Sequence, residues 1–423
     1  MFLMTTITIR GISPGVTSIE KGLFYFAIID ILFLPYSPVL AMTNSQIIVF
    51  LWLVIRLLST GRSILDKRSS MVFCVFLLFV ITCTATSFLF IPPFYLSQGV
   101  RENVLRALQL ISSFGYLFFF EYVLERVTIR WDVILFSFVI YAGLWAVIYL
   151  YDFTAFLSLK RVFNPYDSFI GFLSSEEGYD YRFSFIWTDP NNITYAIAGV
   201  MVFLITWKHY TILPITLITV CVLLVCVSSR STGGWLSLLF ASIVLFYTQI
   251  SDPIARNPLK RVLVFSAFVL VFIATLYVAF TFVFPQDAID QSISRFNSKG
   301  DDASRLAIWR RLFEDKADLL PMYLVYGTGY QVYVNGSPYN VHNGHFLLII
   351  AYGMIGYIAY MLLLFRKPKN VGLLGYAFSV PFILAITINT YIGEAKAVGL
   401  MMFLIAIMRT QAGSLSINGK VHK

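Results

Sequence analysis

Two of the four histidines in the chain, His342 and His345, stand three residues apart in NVHNGHFLLIIAYGMIGY, directly before a long apolar run. Histidine's ordinary pKa, about 6.5, lets a neutral ring take a proton near neutral pH, so either ring is a candidate general base. Each taken alone is more often the polar start of a helix at a headgroup plane. Arginines recur in the segments that precede them. Arg182 lies among Tyr179, Tyr181, Phe183, Phe185 and Trp187, Arg230 lies in SSRSTGGW, and Arg305, Arg310 and Arg311 lie in DDASRLAIWRRLFEDKADLLP. Guanidinium forks and helix N-termini both suit phosphate oxygens. The plainer readings pair Arg305 with Asp301 or Asp302 and make Arg230 a snorkelling helix-end residue beside two packing glycines, Gly233 and Gly234. The aromatics around Arg182 fit either sugar platforms or an interfacial belt.

Metal chemistry finds less support. The His-x-x-His spacing can place two imidazoles on one helical face, but zinc needs further ligands, and the chain has no HExxH and no cysteine pair. No Asp-x-Asp sugar-nucleotide site is present, because Asp301 and Asp302 are adjacent. If the chemistry involves a diphosphate, arginines take the place of the metal. YGTGY, from Tyr326 to Tyr330, is a glycine turn and not a P-loop, since no Lys-Ser or Lys-Thr follows it.

The elements that must position these residues lie in a membrane. With 58% hydrophobic and 13% charged residues and a mean hydropathy of +0.78, 423 residues do not make an ordinary soluble domain. Twelve apolar segments approach the bilayer-spanning length. They are Gly22–Ala41, Gln46–Leu58, Met71–Ile91, Ala107–Val123, Val133–Tyr151, Ile193–Trp207, Ile212–Val227, Trp235–Tyr247, Val262–Phe284, Phe346–Phe365, Val371–Ile388 and Ala397–Ile407. The first is too long for a signal-peptide core and reads as a retained helix. Lys and Arg collect in alternate connections, which places both termini on the cytoplasmic side and two long loops, 152–192 and 285–345, on the other. The net charge of +9 follows from that asymmetry and does not point to nucleic acid. The fold expected is all-α, one polytopic membrane domain over 1–423, with short helices in the two loops. The second loop's helix runs from a cap at Asp301, Asp302 or Ser304 to Pro321, with Leu306, Trp309, Phe313 and Leu320 near one face. The four cysteines fall within apolar segments and form no disulfide framework.

The order of the motifs resembles the O-antigen ligase and O-antigen polymerase superfamily. An Arg precedes a Pro-Asn pair that opens a helix (Arg182, Pro190, Asn191), and Ser229 and Arg230 lead into small residues. An Arg stands four residues before Trp (Arg305, Trp309), a Gly-x-Gly follows (Gly327, Gly329), and then His342 and Asn343 lead into a helix with YGMIG. The resemblance spans roughly Tyr181 to Phe365. It implies a cofactor-free, metal-independent glycosyltransferase of the bacterial inner membrane, acting on the periplasmic face on glycans carried by undecaprenyl diphosphate. It carries diphosphate binding to Arg182 and Arg305 and the base to His342, and leaves Arg230, Asn191, Arg310, Arg311, His345, Asn343, Tyr181 and Trp309 as possible substrate contacts. Its partners would be a lipid-linked donor and acceptor, membrane lipids and a chain-length regulator in the membrane. A polymerase is expected ahead of a ligase that uses lipid A core. A transporter would show ionisable residues along a midplane path or paired interrupted helices. Only Asp30, near the middle of the first segment, is a suspect of that kind.

Overall fold

A chain this apolar must satisfy every backbone N–H and C=O without water, and helices do so within each segment. The computed structural model describes residues 16–36, 42–59, 67–164, 182–208, 210–250, 277, 305–366, 371, 373–389 and 391–417. Among the described residues fourteen α-helices follow one another: α1 (Ser18–Leu32), α2 (Asn44–Ser59), α3 (Lys67–Thr86), α4 (Leu96–Leu124), α5 (Trp131–Tyr151), α6 (Phe153–Phe163), α7 (Pro190–Trp207), α8 (Ile212–Ser229), α9 (Thr232–Ile250), α10 (Arg305–Asp315), α11 (Leu320–Tyr323), α12 (Gly344–Leu364), α13 (Ser379–Ile388) and α14 (Ala395–Ile417). The described residues are mostly helical, with one small addition, an antiparallel hairpin of β1 (Val332–Val334) and β2 (Ser337–Tyr339) with Val332 opposite Tyr339. Asn335 and Gly336 turn it with φ of 49° and 77°, the two positive values that an Asn-Gly hairpin turn requires.

The chain divides into two compact units. The first comprises Met1–Ile129, Gly300–Val371 and Ile386–Lys423, the second Arg130–Lys299 and Gly372–Ala385. In the first, α4 is the axis, with α14 and α2 along it and α12 along α3. Its core is aromatic: Phe24 packs edge-on to Phe120 and Phe403, and Phe76 to Phe114. α4 starts at Leu96, well before the apolar stretch at Ala107, because Ser97, Gln98, Arg101, Glu102 and Asn103 continue the helix in polar residues. A capping box of Thr17 and Glu20 starts α1, and Glu20 also accepts from Trp52 Nε1 at 2.8 Å and pairs with Arg56. Glu121 pairs with Arg409 at 2.6 Å.

Asp30 is not mid-helix, since α1 ends at Leu32. Its buried carboxylate accepts from the backbone N–H and the hydroxyl of Ser45 and, at 3.1 Å, from Asn44 Nδ2, with Lys396 Nζ 4.0 Å away. An anion at the start of α2 offsets that helix's unpaired N–H groups, which gives Asp30 a structural task.

Among the described residues four helical stretches are long and apolar enough to cross a membrane: Arg68–Phe90, Pro93–Leu124, Trp131–Tyr151 and Gly344–Leu364. Asn44–Arg56, Leu213–Ser229, Gly233–Val244 and Ser379–Ile388 are shorter apolar helices. The expected span Val262–Phe284 lies outside the described residues except for Tyr277. The stretch Gly344–Leu364 has the length of a span but not its continuity, because Gly353, with φ 73° and ψ 166°, breaks the helix near its middle.

In the second unit α5 packs on α8, and α7 on α9 and α8. Glycines set the closeness of approach: a Cβ on Gly143 would lie 2.7 Å from Cys221 Sγ, and one on Gly199 2.6 Å from Phe382. Close backbone approach through small residues is a usual basis for packing between membrane helices. α6, a helix of the first loop, buries Phe156 and Lys160 on one side.

Candidate functional site

In the second unit the Arg182 guanidinium is held as a plane. Its Nε donates to Ser229 O at 2.8 Å and its Nη2 to Asn191 Oδ1 at 3.0 Å. Asn191 Oδ1 also accepts from Ser231 Oγ at 2.8 Å, while Asn191 Nδ2 donates to Asp189 Oδ1 at 2.9 Å. The carboxamide's oxygen and nitrogen thus face the groups their chemistry requires. Asp189 caps α7 by accepting from Asn191 N at 2.7 Å, with Pro190 at the first helical position. Ser231 caps α9, its Oγ accepting from Gly234 N at 3.1 Å. Two helix starts are tied to one guanidinium, and their N–H groups and positive dipole ends favour an anion.

Gly233 and Gly234 make that meeting possible, since a Cβ on Gly234 would lie 2.6 Å from Thr194 Cβ. Arg230 ends α8 in the left-handed region, with φ 51° and ψ 37°, and its Nη2 reaches Tyr149 Oη at 3.4 Å. A non-glycine residue there costs about 1–2 kcal/mol. The turn it makes presents Ser229 O and Ser231 Oγ to the same network. Phe183, Phe185 and Trp187 are fully buried, so they are neither an interfacial belt nor sugar platforms. The buried ammonium of Lys160 donates to Phe185 O at 2.6 Å and to Trp187 O, drawing this segment inward.

In the first unit His342 is fixed through both of its neighbours. It has φ 48°, and its N–H donates to Asn340 Oδ1 at 3.1 Å. Before it, Val341 O accepts from Trp309 Nε1 at 3.0 Å, and the indole packs edge-on to Phe346 at 5.5 Å. After it, Asn343 caps α12 by accepting from Phe346 N at 2.9 Å, and Gly344 N donates to Asn389 O at 3.1 Å. The hairpin braces α10 at two points: Tyr339 Oη donates to Ile308 O at 2.9 Å, and Asn335 N donates to Asp315 Oδ1 at 3.1 Å. Desolvation pushes the Asp315 carboxyl up, but Lys316 at 2.7 Å and the Asn335 N–H outweigh it and hold the group below its ordinary value. Arg305 opens α10 one helical turn before Trp309. Its proposed capping residues, Asp301, Asp302 and Ser304, lie outside the described residues.

Residues 217–361 match the profile of the O-antigen ligase family. That stretch, about a third of the chain, is similar to O-antigen ligases. The match contains Arg230, Arg305 and His342 and leaves Arg182 and Asn191 outside it. It supports membership of the superfamily of O-antigen polymerases and ligases, and so a membrane enzyme that transfers lipid-linked glycans. No curated protein matches the chain.

Within the matched residues the remaining expected contacts have separate tasks. Arg310 pairs with Glu314 at 2.8 Å across one turn of an exposed helix face, and Arg311 is also exposed. α10 stops at Asp315 and not at Pro321, which instead lies in the first turn of the short α11. YGTGY is more than a surface turn. Gly327 N donates to Cys83 Sγ at 3.3 Å, while Thr328 N and Gly329 N donate to Ile350 O at 2.8 Å and Ala351 O at 3.1 Å. Those carbonyls precede the Gly353 break, and a Cβ on Gly327 would lie 2.1 Å from Ala351 O, so only glycine fits. Tyr181 and Tyr179 lie outside the described residues. All four cysteines are free thiols. Among the described residues no three His, Cys, Asp or Glu side chains group as metal ligands do.

The hairpin and Lys160 were missed by sequence reading. The VYVNGSPY stretch carries a sufficient signal for the first, while a lone Lys in an amphipathic helix carries none for the second.

Proposed function

We propose that the protein is an O-antigen polymerase, extending a surface polysaccharide by moving glycan from undecaprenyl diphosphate to a sugar hydroxyl of another lipid-linked repeat unit. The observation that carries this reading is His342, set at a capped helix start within the residues that match the O-antigen ligase family. His342 takes the proton of the acceptor hydroxyl as the new bond forms at the anomeric carbon and undecaprenyl diphosphate departs. Arg182 and Arg305 serve the departing diphosphate, whose growing charge needs neutralisation more than protonation. Displacement from the face opposite the leaving group inverts that carbon. The setting is the bacterial inner membrane, with both termini cytoplasmic, the chemistry on the periplasmic face and a chain-length regulator as a partner.

A second reading, transfer of finished glycan to lipid A core, is favoured by the description of the matched family. The two differ in acceptor and not in chemistry. The test is reconstitution of purified protein with a synthetic undecaprenyl diphosphate repeat unit, with chelator present and products resolved by size. A ladder of lengthening glycans is expected from the repeat unit alone. A single transfer that needs added lipid A core would make the protein a ligase. His342→Ala should slow transfer by about 10²–10⁴-fold. Normal transfer by that variant, correctly inserted, would remove His342 from the mechanism.

A further inference from the structure

α12 is two helices joined at Gly353. Along one straight helix residues 345 and 357 would lie about 18 Å apart at 1.5 Å per residue, farther than a His and a Tyr side chain reach together. Yet Tyr357 Oη stands 3.1 Å from His345 Nδ1, and the two rings meet edge-on at 5.7 Å. The other ring nitrogen, Nε2, stands 3.1 Å from Thr387 Oγ1 in α13. One imidazole therefore joins the half-helix before the break, the half-helix after it and the end of α13.

We propose that His345 is a positioning residue, a clasp across the broken helix that fixes where His342 stands, and not a second base. The proposal rests on the reading of His342 as the base. Glycine tolerates many backbone conformations, so the angle between the two halves of α12 needs side chains to set it. The half before the break is docked by consecutive residues on one short segment: Gly344 N bonds Asn389 O, and His345 meets Thr387. Only Asn343, the helix cap, separates that docking from His342. Each hydroxyl facing His345 can give or accept a hydrogen bond, so a neutral ring is satisfied in either tautomer without exchanging a proton.

The test uses the full-length protein in proteoliposomes. Tyr357→Phe deletes one hydroxyl and Thr387→Val the other, while His345→Asn keeps a polar atom near Nδ1 and His345→Gln one near Nε2. Each single loss is expected to lower kcat about tenfold, and loss of both links about 100-fold, the scale of a roughly 1 Å misplacement of a reacting group. KM for the donor and the acid limb of the pH profile should stay as in the wild type, because the base itself is intact. His345→Asn should lose little further when Thr387→Val is added, and His345→Gln little further when Tyr357→Phe is added.

A second readout needs no transfer. With His342→Cys as the reporter, alkylation by a membrane-impermeant maleimide should quicken several-fold when Tyr357→Phe or Thr387→Val is added. Unchanged kcat and unchanged alkylation would overturn the clasp. So would loss of the acid limb in His345→Gln together with normal transfer by His342→Ala, which would make His345 the base. If the wild type transfers no glycan from any lipid diphosphate, the functional reading fails and the alkylation rates still decide the clasp.

Discussion

Arg182 and His342 are held in opposite ways. Arg182 is fixed by its own side chain, with Nε on Ser229 O and Nη2 on Asn191 Oδ1. His342 is fixed by its neighbours, through Trp309 on Val341 O and through the cap that Asn343 places on α12. The difference suits the tasks proposed for them. A residue that holds a leaving group gains from a rigid, pre-oriented charge, because reorganisation at the moment of reaction is avoided. A base must meet its proton at a defined point, which an anchored backbone provides. The two regions therefore differ in what a conservative substitution destroys.

Arg182→Lys tests the first region and should have the largest effect of the three conservative changes that separate the regions. It keeps the charge but loses the planar fork that binds Ser229 O and Asn191 together, so donor affinity should fall about tenfold to 100-fold, as loss of charged hydrogen bonds worth about 1.5–3 kcal/mol implies. Unchanged donor affinity would mean that charge alone matters there. Trp309→Phe tests the second region with a smaller change. It keeps a ring against Phe346 and removes one N–H, costing about 1 kcal/mol in stability and a few-fold in kcat. A change in donor KM without a change in kcat would break the contrast between the regions.

The smallest effect concerns Asp315, which receives the hairpin's Asn335 N–H. A carboxyl whose folded pKa lies below its unfolded value adds stability above the unfolded pKa and loses it as pH falls through the folded one. Asp315→Asn should therefore lower stability slightly at neutral pH, by under about 1 kcal/mol for a pair near the surface, and leave it unchanged in strong acid. An equal loss at every pH would show that the backbone bond matters and the charge does not.

Much of this was legible in the sequence, for reasons that differ by residue. Helices α2, α5, α7 and α8 start and end within a few residues of their expected bounds, because apolar length and terminal polar residues suffice to mark them. The approach of Gly233 and Gly234 to a neighbouring helix was legible because small residues have few other uses there. The break in α12 was not, since YGMIG is as apolar as its surroundings and the cause lies in distant N–H groups at Thr328 and Gly329. Nor was the inward course of Phe183, Phe185 and Trp187, which depends on a lysine in another helix. The early start of α4 escaped notice because hydropathy follows the membrane and not the helix. Asp30 reads as a functional suspect only until its partners on α2 are known.

The joint between YGTGY and the first half of α12 also bears on how the chain is made. Carbonyls left open by the Gly353 break are costly in lipid unless donors reach them, at several kcal/mol for each unsatisfied group. The donors, Thr328 N and Gly329 N, belong to a segment that leaves the ribosome before α12 does. Translation order thus supplies the donors first, and α12 need never stand in the bilayer with those carbonyls bare. The kink is then completed on the emerging polypeptide and not imposed on a finished span, so delaying residues 326–330 relative to 344–364, for instance by circular permutation, would impair insertion while every residue of the mature protein was retained.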